Sequence, residues 1–395
     1  MPVIHTKGTF GICPGFKNHI ISMSLLQKPD VFDSILEYGF KLIIVDESHS
    51  FKNEKAERTY SLQKIVETIP HKIFLSGTPI MNKVTEYFTV LNLLRPSHFP
   101  SKDSLVSKCD RAPNGRVLGI SNHWRPRFFH QISEYVIRRT KKDAGIKLPN
   151  FRSLKRYVSI ENNRKFVKEY NDLIDELDKT ISAKRGDAGT SRHLLGLFAQ
   201  FRHVVGLAKV EPVLQMVEEF MESTDPTDKI TIGYYHKLVG DYLEKGLREY
   251  NPLRISDEPG LTKMNRIEEF KKPERRLLLA SIKGAGQGLN IQFCKNAVVA
   301  EREWNPAREE QFINRFHRIE KNPDGTIKTE FDDAKDSVTV EFLNVAKTID
   351  EFFDALVELK THVVSATLEE EFAYDYDFLM DLAEKIVASR LYVSG

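Results

Sequence analysis

Apolar residues in this chain fall largely into short runs that stop abruptly at polar residues. Lys41–Val45 (KLIIV) stops at Asp46-Glu47, and Lys72–Leu75 (KIFL) stops at Ser76-Gly77-Thr78-Pro79. A short run without polar alternation reads as a strand buried on both faces, as in a parallel sheet. In open α/β sheets the carboxyl ends of such strands line the ligand crevice. Runs of the same kind return at Lys229–Tyr234, Arg276–Ser281, Ala297–Ala300 and Val338–Leu343, separated by helical stretches. They predict a second α/β unit. From about Phe99 to Leu195 the pattern changes: basic text at Ile137–Lys142 and a charged helix from about Asn162 to Ala183 predict an inserted, mostly helical region. The Gly and Ser content of Arg185–Ser191 predicts a loop, and the acidic stretch from Thr367 onward a helix.

Length and charge narrow the class. A chain of 395 residues accommodates about two domains, and 41% apolar with 29% charged residues fits ordinary globular domains. No apolar run approaches the roughly 18 residues that span a bilayer. The first ten residues lack the order of a signal peptide, so an intracellular protein with no membrane partner is expected. Cys13, Cys109 and Cys294 neither pair by spacing nor cluster with histidines, which points to free thiols in a reducing compartment. A net charge of +2 leaves nucleic-acid binding to local basic patches.

Four places carry candidate chemistry. Asp46-Glu47-Ser48-His49 follows a strand, and nucleotide hydrolysis needs one carboxylate for Mg²⁺ and another to orient water. Alone, such a pair is as often a solvated strand end. Ser76-Gly77-Thr78-Pro79 makes a tight polar turn at the end of the next strand; alone it reads as a plain turn. Ser281–Gln292 (SIKGAGQGLNIQ) follows another strand, and Gly284, Gly286 and Gly288 permit close approach to phosphates or a nucleic-acid backbone. Its spacing is not that of the dinucleotide fingerprint. In Gln311–Ile319 (QFINRFHRI), a helix would put Gln311, Arg315 and Arg318 on one face, where two arginines can reach phosphates; a solvated basic face is the plainer alternative.

Taken together, the order and strand-end placement of these segments resemble the Swi/Snf-type, superfamily 2 helicase-like DNA translocases. Asp46–His49 with Phe51-Lys52-Asn53 is similar to the family's Asp-Glu-x-His box, and Leu75–Pro79 with Ile80-Met81-Asn82 to its Ser-Gly-Thr-Pro-x-x-Asn box. Val136–Lys142 with Leu148-Pro149, Ser281–Gln292, Trp304-Asn305-Pro306 and Gln311–Ile319 resemble its later boxes, so the likeness runs from about His19 to about Leu359. Phe201–Lys209 (FRHVVGLAK) and Tyr235-His236-Lys237 resemble the annealing-helicase branch and its bacterial and phage relatives.

The resemblance implies an α/β, P-loop NTPase helicase fold of two RecA-like lobes, with ATP and Mg²⁺ as cofactors and double-stranded DNA as partner. The domains expected are a partial first lobe over 1–145, a helical insertion and linker over 146–200, the second lobe over 201–365 and a helical tail over 366–395. Asp46 binds Mg²⁺, directly or through water, and Glu47 is the catalytic base. Arg315 and Arg318 complete the catalytic set, with Arg318 as the finger. His49, Gly288 and Gln311 serve nucleotide binding. Ser76, Gly77, Thr78, Asn82, Lys283 and Trp304 serve coupling or the DNA backbone, as does the loop near Ser22.

One departure is large. No G-x-x-x-x-G-K-[ST] occurs, and the dipeptide Gly-Lys is absent from the whole sequence. That loop, the Walker A, cradles the β and γ phosphates. The expectation is therefore a first lobe lacking its front, including this loop, with a separate polypeptide or a truncated gene as the explanation. A smaller departure is Glu320, which places an acid close to the arginine pair. The alternative is a catalytically inactive DNA-binding or interaction module; an RNA helicase fits Trp304-Asn305-Pro306 and Arg138-Arg139 less well.

Overall fold

A computed structural model describes residues 3–5, 15–77, 84–111, 117–137, 139, 143–183, 188–285, 289–303, 306–322, 324–352 and 376–391. The chain divides into two compact units, the first with its described residues running up to Val136 and the second from Ile137 on.

In the first unit, β1 (Val3–His5) pairs in parallel with β2 (His19–Ile21), and β3 (Leu42–Val45) with β4 (His71–Phe74) in the register Leu42↔His71. Helix α1 (Pro29–Tyr38) starts on a proline, whose missing N–H costs nothing there, and ends at Gly39, whose φ of 70° closes it in the left-handed conformation. With α2 (Glu57–Thr68) it covers one face of β3–β4, burying Val31, Ile35, Ile65 and Ile69 with Ile43 packed against them. Helices α3 (Val84–Leu94), α4 (Lys102–Val106) and α5 (Arg125–Ser133) pack around an antiparallel hairpin, β5 (Cys109–Arg111) and β6 (Val117–Ile120). Phe88, Leu91, Phe99, Ile120, Phe128 and Ile132 form their core.

The second face of β3–β4 is different. Leu42, Ile44, Ile73 and the following Leu75 alternate onto it and are 46, 57, 45 and 47% exposed. Parallel sheets are normally covered on both faces, so four aliphatic side chains in water are costly here.

The second unit is built on a six-stranded parallel sheet in the order β7-β12-β11-β8-β10-β9. Its strands are β7 (Phe151–Val158), β8 (Ile230–Tyr234), β9 (Leu253–Ile255), β10 (Leu277–Ser281), β11 (Asn296–Val299) and β12 (Val338–Val345). Leu278 and Ala280 pack on one face with Phe270, Phe312 and Phe316; Leu277 and Leu279 pack on the other with Val213, Ile232 and Leu243. Burial on both faces is why these strands lack polar alternation. The helices are α6 (Arg164–Ser182), α7 (Ala188–Ala208), α8 (Val210–Ser223), α9 (Lys237–Gly246), α10 (Gly260–Phe270), α11 (Ile282–Ala285), α12 (Pro306–Ile313) and α13 (Tyr376–Ala388). α6, α7 and α13 share a core through Tyr170, Ile174, Phe201 and Leu379. Tyr170 accepts the Ile349 amide at 2.9 Å, which pins this layer to the end of β12, and burial pushes its phenol well above the usual range.

The mixed α/β class with a parallel sheet is as expected, and six of the sequence-predicted strands are present. Two local readings change. Phe151–Val158, inside the stretch expected to be a helical insertion and linker, is a strand at the sheet edge; Arg152, Lys155 and Arg156 mask its pattern, as charges on edge strands do. Part of the expected loop Arg185–Ser191 is helical, because α7 begins at Ala188. The acidic tail is helical over α13.

Candidate active-site residues in each unit

In the first unit the hydrogen-bond ladder continues past the strands. Leu75 N–H donates to the Val45 carbonyl at 2.8 Å and Ser48 N–H to the Leu75 carbonyl at 2.9 Å. Asp46 and Glu47 are thereby looped out at the carboxyl end of β3. Glu47 adopts φ 49°, ψ 46°, a left-handed conformation that costs a non-glycine residue about 1–2 kcal/mol. The Asp46 carboxylate accepts the Glu47 N–H at 2.8 Å.

His49 joins the two strand ends. Its Nδ1 lies 3.2 Å from the Glu47 Oε2 and 3.1 Å from the Ser76 Oγ. The hydrogen bond runs to the Ser76 hydroxyl, and the Glu47 carboxylate lies within ion-pair reach of the same nitrogen. A 3-10 turn over Ser48–Phe51 carries His49, anchored by buried Phe51 and by Thr89, whose hydroxyl donates to the Lys52 carbonyl at 2.9 Å. Asp46, Glu47, His49, Ser76 and Gly77 thus sit together at adjoining strand ends. Thr78 and Asn82 lie outside the described residues.

In the second unit Arg315 and Arg318 converge. Each directs Nη1 at the Leu289 carbonyl, at 3.3 and 3.5 Å, and Ile291 N–H donates to the Arg315 carbonyl at 3.2 Å. They do so from beyond the helix, which corrects the single helical face expected for Gln311, Arg315 and Arg318. α12 ends at Ile313, and the next turns close with Arg315 N–H to the Phe312 carbonyl at 3.0 Å and Phe316 N–H to that of Ile313 at 3.0 Å. Phe312 and Phe316 enter the core and draw the chain around. Glu320, two residues after Arg318, pairs with Lys295 and, at 3.5 Å, with Lys328.

Gly284 is explained by packing: a Cβ there would lie 2.4 Å from the Ser256 carbonyl oxygen. Lys283 is mostly exposed and pairs with exposed Asp257 at 2.9 Å, a contact worth little that an incoming phosphate can replace. Gln311 lies on α12. Gly288 and Trp304 lie outside the described residues.

Sequence reasoning passed over a buried network at the carboxyl ends of β8 and β11. Glu301, 4% exposed, accepts the amides of Tyr235 and His236 at 2.8 and 3.0 Å, and its other oxygen lies 2.6 Å from the His236 Nδ1. Burial raises its pKa, but these bonds more than reverse that and hold the carboxyl below its usual range. Arg302 pairs with buried Glu309 of α12, and its carbonyl accepts the Arg202 guanidinium at 2.6 Å. Lys209, at the end of FRHVVGLAK, is buried against Asp350 at 2.6 Å. The signal for Glu301 was available: like Asp46, it is an acid just after a buried strand.

Two family models match the sequence, the SNF2-related domain over residues 15–206 and the helicase conserved C-terminal domain over residues 214–320. The chain is 24% identical over 378 residues to the DNA annealing helicase and endonuclease ZRANB3 of Mus musculus, covering 93% of this chain and 34% of that protein. It is 25% identical over 363 residues to the SWI/SNF-related matrix-associated actin-dependent regulator of chromatin subfamily A-like protein 1 of Xenopus tropicalis, covering 88% of this chain and 35% of that protein. It therefore spans about a third of the length of these relatives. A Sulfolobus solfataricus SWI2/SNF2 ATPase core domain aligns with 96% of this chain and 76% of that chain, at 19% identity and a TM-score of 0.44.

Proposed function

This chain belongs to the SNF2-related helicase-like proteins, and from that membership we propose that it works as part of an ATP-driven motor on double-stranded DNA. The observation that carries the reading is the strand-end cluster of Asp46, Glu47, His49 and Ser76, with Glu47 held in a costly backbone conformation. Strained residues gather where function needs them. The two carboxylates offer hard oxygen donors, which suit Mg²⁺, an ion that takes one or two carboxylates and leaves its other positions to water and phosphate. Bound there, Mg²⁺ would neutralise charge on the phosphates.

Asp46 would hold the ion, directly or through water. Glu47 orients the attacking water and takes its proton, with His49 fixing the carboxylate. His49 also carries the contact to Ser76 and so to the Gly77–Asn82 segment that couples to DNA. Arg315 and Arg318 serve the transferring phosphoryl group, Arg318 as the finger, and Gly288 and Gln311 serve nucleotide binding. Lys283 and Trp304 serve the DNA backbone. Tracking of phosphates gives low sequence specificity and a steep salt dependence.

The phosphate-binding loop comes from residues outside these 395, on the same polypeptide or a separate one. The aliphatic face of Leu42, Ile44, Ile73 and Leu75 supports this, since it offers such a segment an apolar seat beside Asp46 and Glu47. The test is ATP hydrolysis with Mg²⁺, with and without duplex DNA, by the 395-residue chain alone and mixed with a polypeptide carrying the loop. The expected result is DNA-stimulated hydrolysis only in the mixture, abolished by Glu47→Gln with ATP binding kept. DNA-stimulated hydrolysis by the chain alone overturns the external loop. Duplex binding with no nucleotide response in either arm makes the chain an inactive DNA-binding module.

A further inference from the structure

Several cations in this chain lie over aromatic rings, and nearly all of them are also engaged by an oxygen. Lys64 on Tyr60 pairs with Glu67, Arg254 on Tyr234 with Asp241, Arg302 on Phe342 with Glu309, and Lys328 on Phe331 with Asp336. Arg202 on Tyr235, Lys229 on Phe270 and Arg276 on Phe220 donate to backbone carbonyls. Among the described residues Trp124 is the exception. Lys108 Nζ lies 5.9 Å and Arg127 Cζ 5.4 Å from its ring centroid, and neither cation has a carboxylate or carbonyl partner among the described residues. His123 stands edge-on to the same indole at 5.6 Å.

The fold holds this group ready. The Lys108 carbonyl accepts the Ser121 amide at 2.9 Å, and the Ser121 carbonyl accepts the amides of Trp124 and Arg125, both at 2.9 Å. The start of β5 is thereby stitched to the start of α5. Trp124 is half-buried and packs against the Phe99–Phe128 core. The ring is therefore a fixed platform, and each cation rests on it with its N–H donors unspent: three on a lysine, five on an arginine.

We infer that this corner of the first unit is a contact for the phosphate backbone of duplex DNA. The inference rests on the DNA-motor reading and adds to it a surface away from the strand-end cluster. Two cations held over one ring, with no carboxylate partner among the described residues, offer the charge and N–H donors that phosphates take. Half-burial of Trp124 and the two cations over its ring leave little of the indole for a base to stack on, which favours a backbone contact over stacking of single-stranded bases.

The test is duplex-DNA binding by the full chain, followed by fluorescence anisotropy from about 0.05 to 0.3 M salt. It compares the wild type, Lys108→Gln, Arg127→Gln and the double variant, with thermal melts to confirm folding. Losing two phosphate contacts should lower the slope of log K against log salt by about 1.8 and weaken binding at 0.1 M salt by one to two orders of magnitude. Trp124 is one of two tryptophans, so DNA should also change the emission of the wild type by an amount that Trp124→Phe removes. A folded double variant with wild-type affinity and slope, together with unchanged Trp124 emission, overturns the inference while leaving the motor reading intact. A wild type that binds no duplex overturns both. Preference for single-stranded DNA that depends on Trp124 overturns the duplex assignment.

Discussion

Replacing Glu301 by alanine removes the acceptor of three donors at once: the Tyr235 amide, the His236 amide and the His236 Nδ1, at 2.8, 3.0 and 2.6 Å. A donor left without a partner away from water costs about 1–3 kcal/mol, and water can reach only part of this site, so Glu301→Ala should lose about 2–4 kcal/mol. Glu301→Gln keeps an oxygen for the amides and gives up the charge assistance, about 1–2 kcal/mol. The sign of the pH dependence follows from the lowered carboxyl pKa. A group whose folded pKa is depressed stabilises above its unfolded pKa and loses that contribution as pH falls through the folded one. The wild type's margin over Glu301→Gln should therefore be full at pH 7 and shrink as pH drops through about 4 and below. Urea unfolding of wild type, Ala and Gln variants at pH 7, 4 and 3, followed by far-UV circular dichroism, measures both quantities. An alanine variant within about 0.5 kcal/mol of wild type at pH 7, or a margin that widens on acidification, refutes the reasoning.

Other outcomes follow from the same geometry. Gly206→Ala places a Cβ 2.2 Å from the Glu301 Oε1, so a thermal melt should show about 1–3 kcal/mol of destabilisation. Glu309→Ala removes the carboxylate that the Arg302 guanidinium pairs with and should cost about 3–5 kcal/mol, whereas the double replacement Arg302→Met with Glu309→Leu should recover most of it in the same denaturation assay. Glu47→Gly relieves the left-handed backbone and should raise stability by about 0.5–1 kcal/mol while removing hydrolysis, a split visible by pairing melts with ATPase rates. Burial pushes the Cys294 thiol up to about 11, so it should resist a thiol reagent at pH 8 until the second unit unfolds.

What the sequence made legible follows from where each residue sits. β3, β4, β8, β10, β11 and β12 were readable because strands of a parallel sheet carry uninterrupted aliphatic text. β7 was not, because an edge strand takes charges on its open side, and FRSLKRYV reads as polar. The acids at the end of β3 announced themselves, but the His49 bridge to Ser76 depends on a register between strands that text alone does not fix. The arginine pair was found for an incomplete reason. Gln311, Arg315 and Arg318 were read as one helical face, but the helix ends at Ile313, Phe312 and Phe316 enter the core, and it is the Leu289 carbonyl that gathers the guanidiniums. Gly284 looked like a phosphate-loop glycine and is needed for contact with Ser256.

Single-turnover ATP hydrolysis on duplex DNA by the loop-complemented protein tests the proposed roles of Glu47 as base and Arg318 as finger. Glu47→Gln and Arg318→Ala should each slow the chemical step by about 10³-fold or more while ATP affinity stays within a few-fold of wild type. Hydrolysis at the wild-type rate by either variant would contradict the role of the residue replaced.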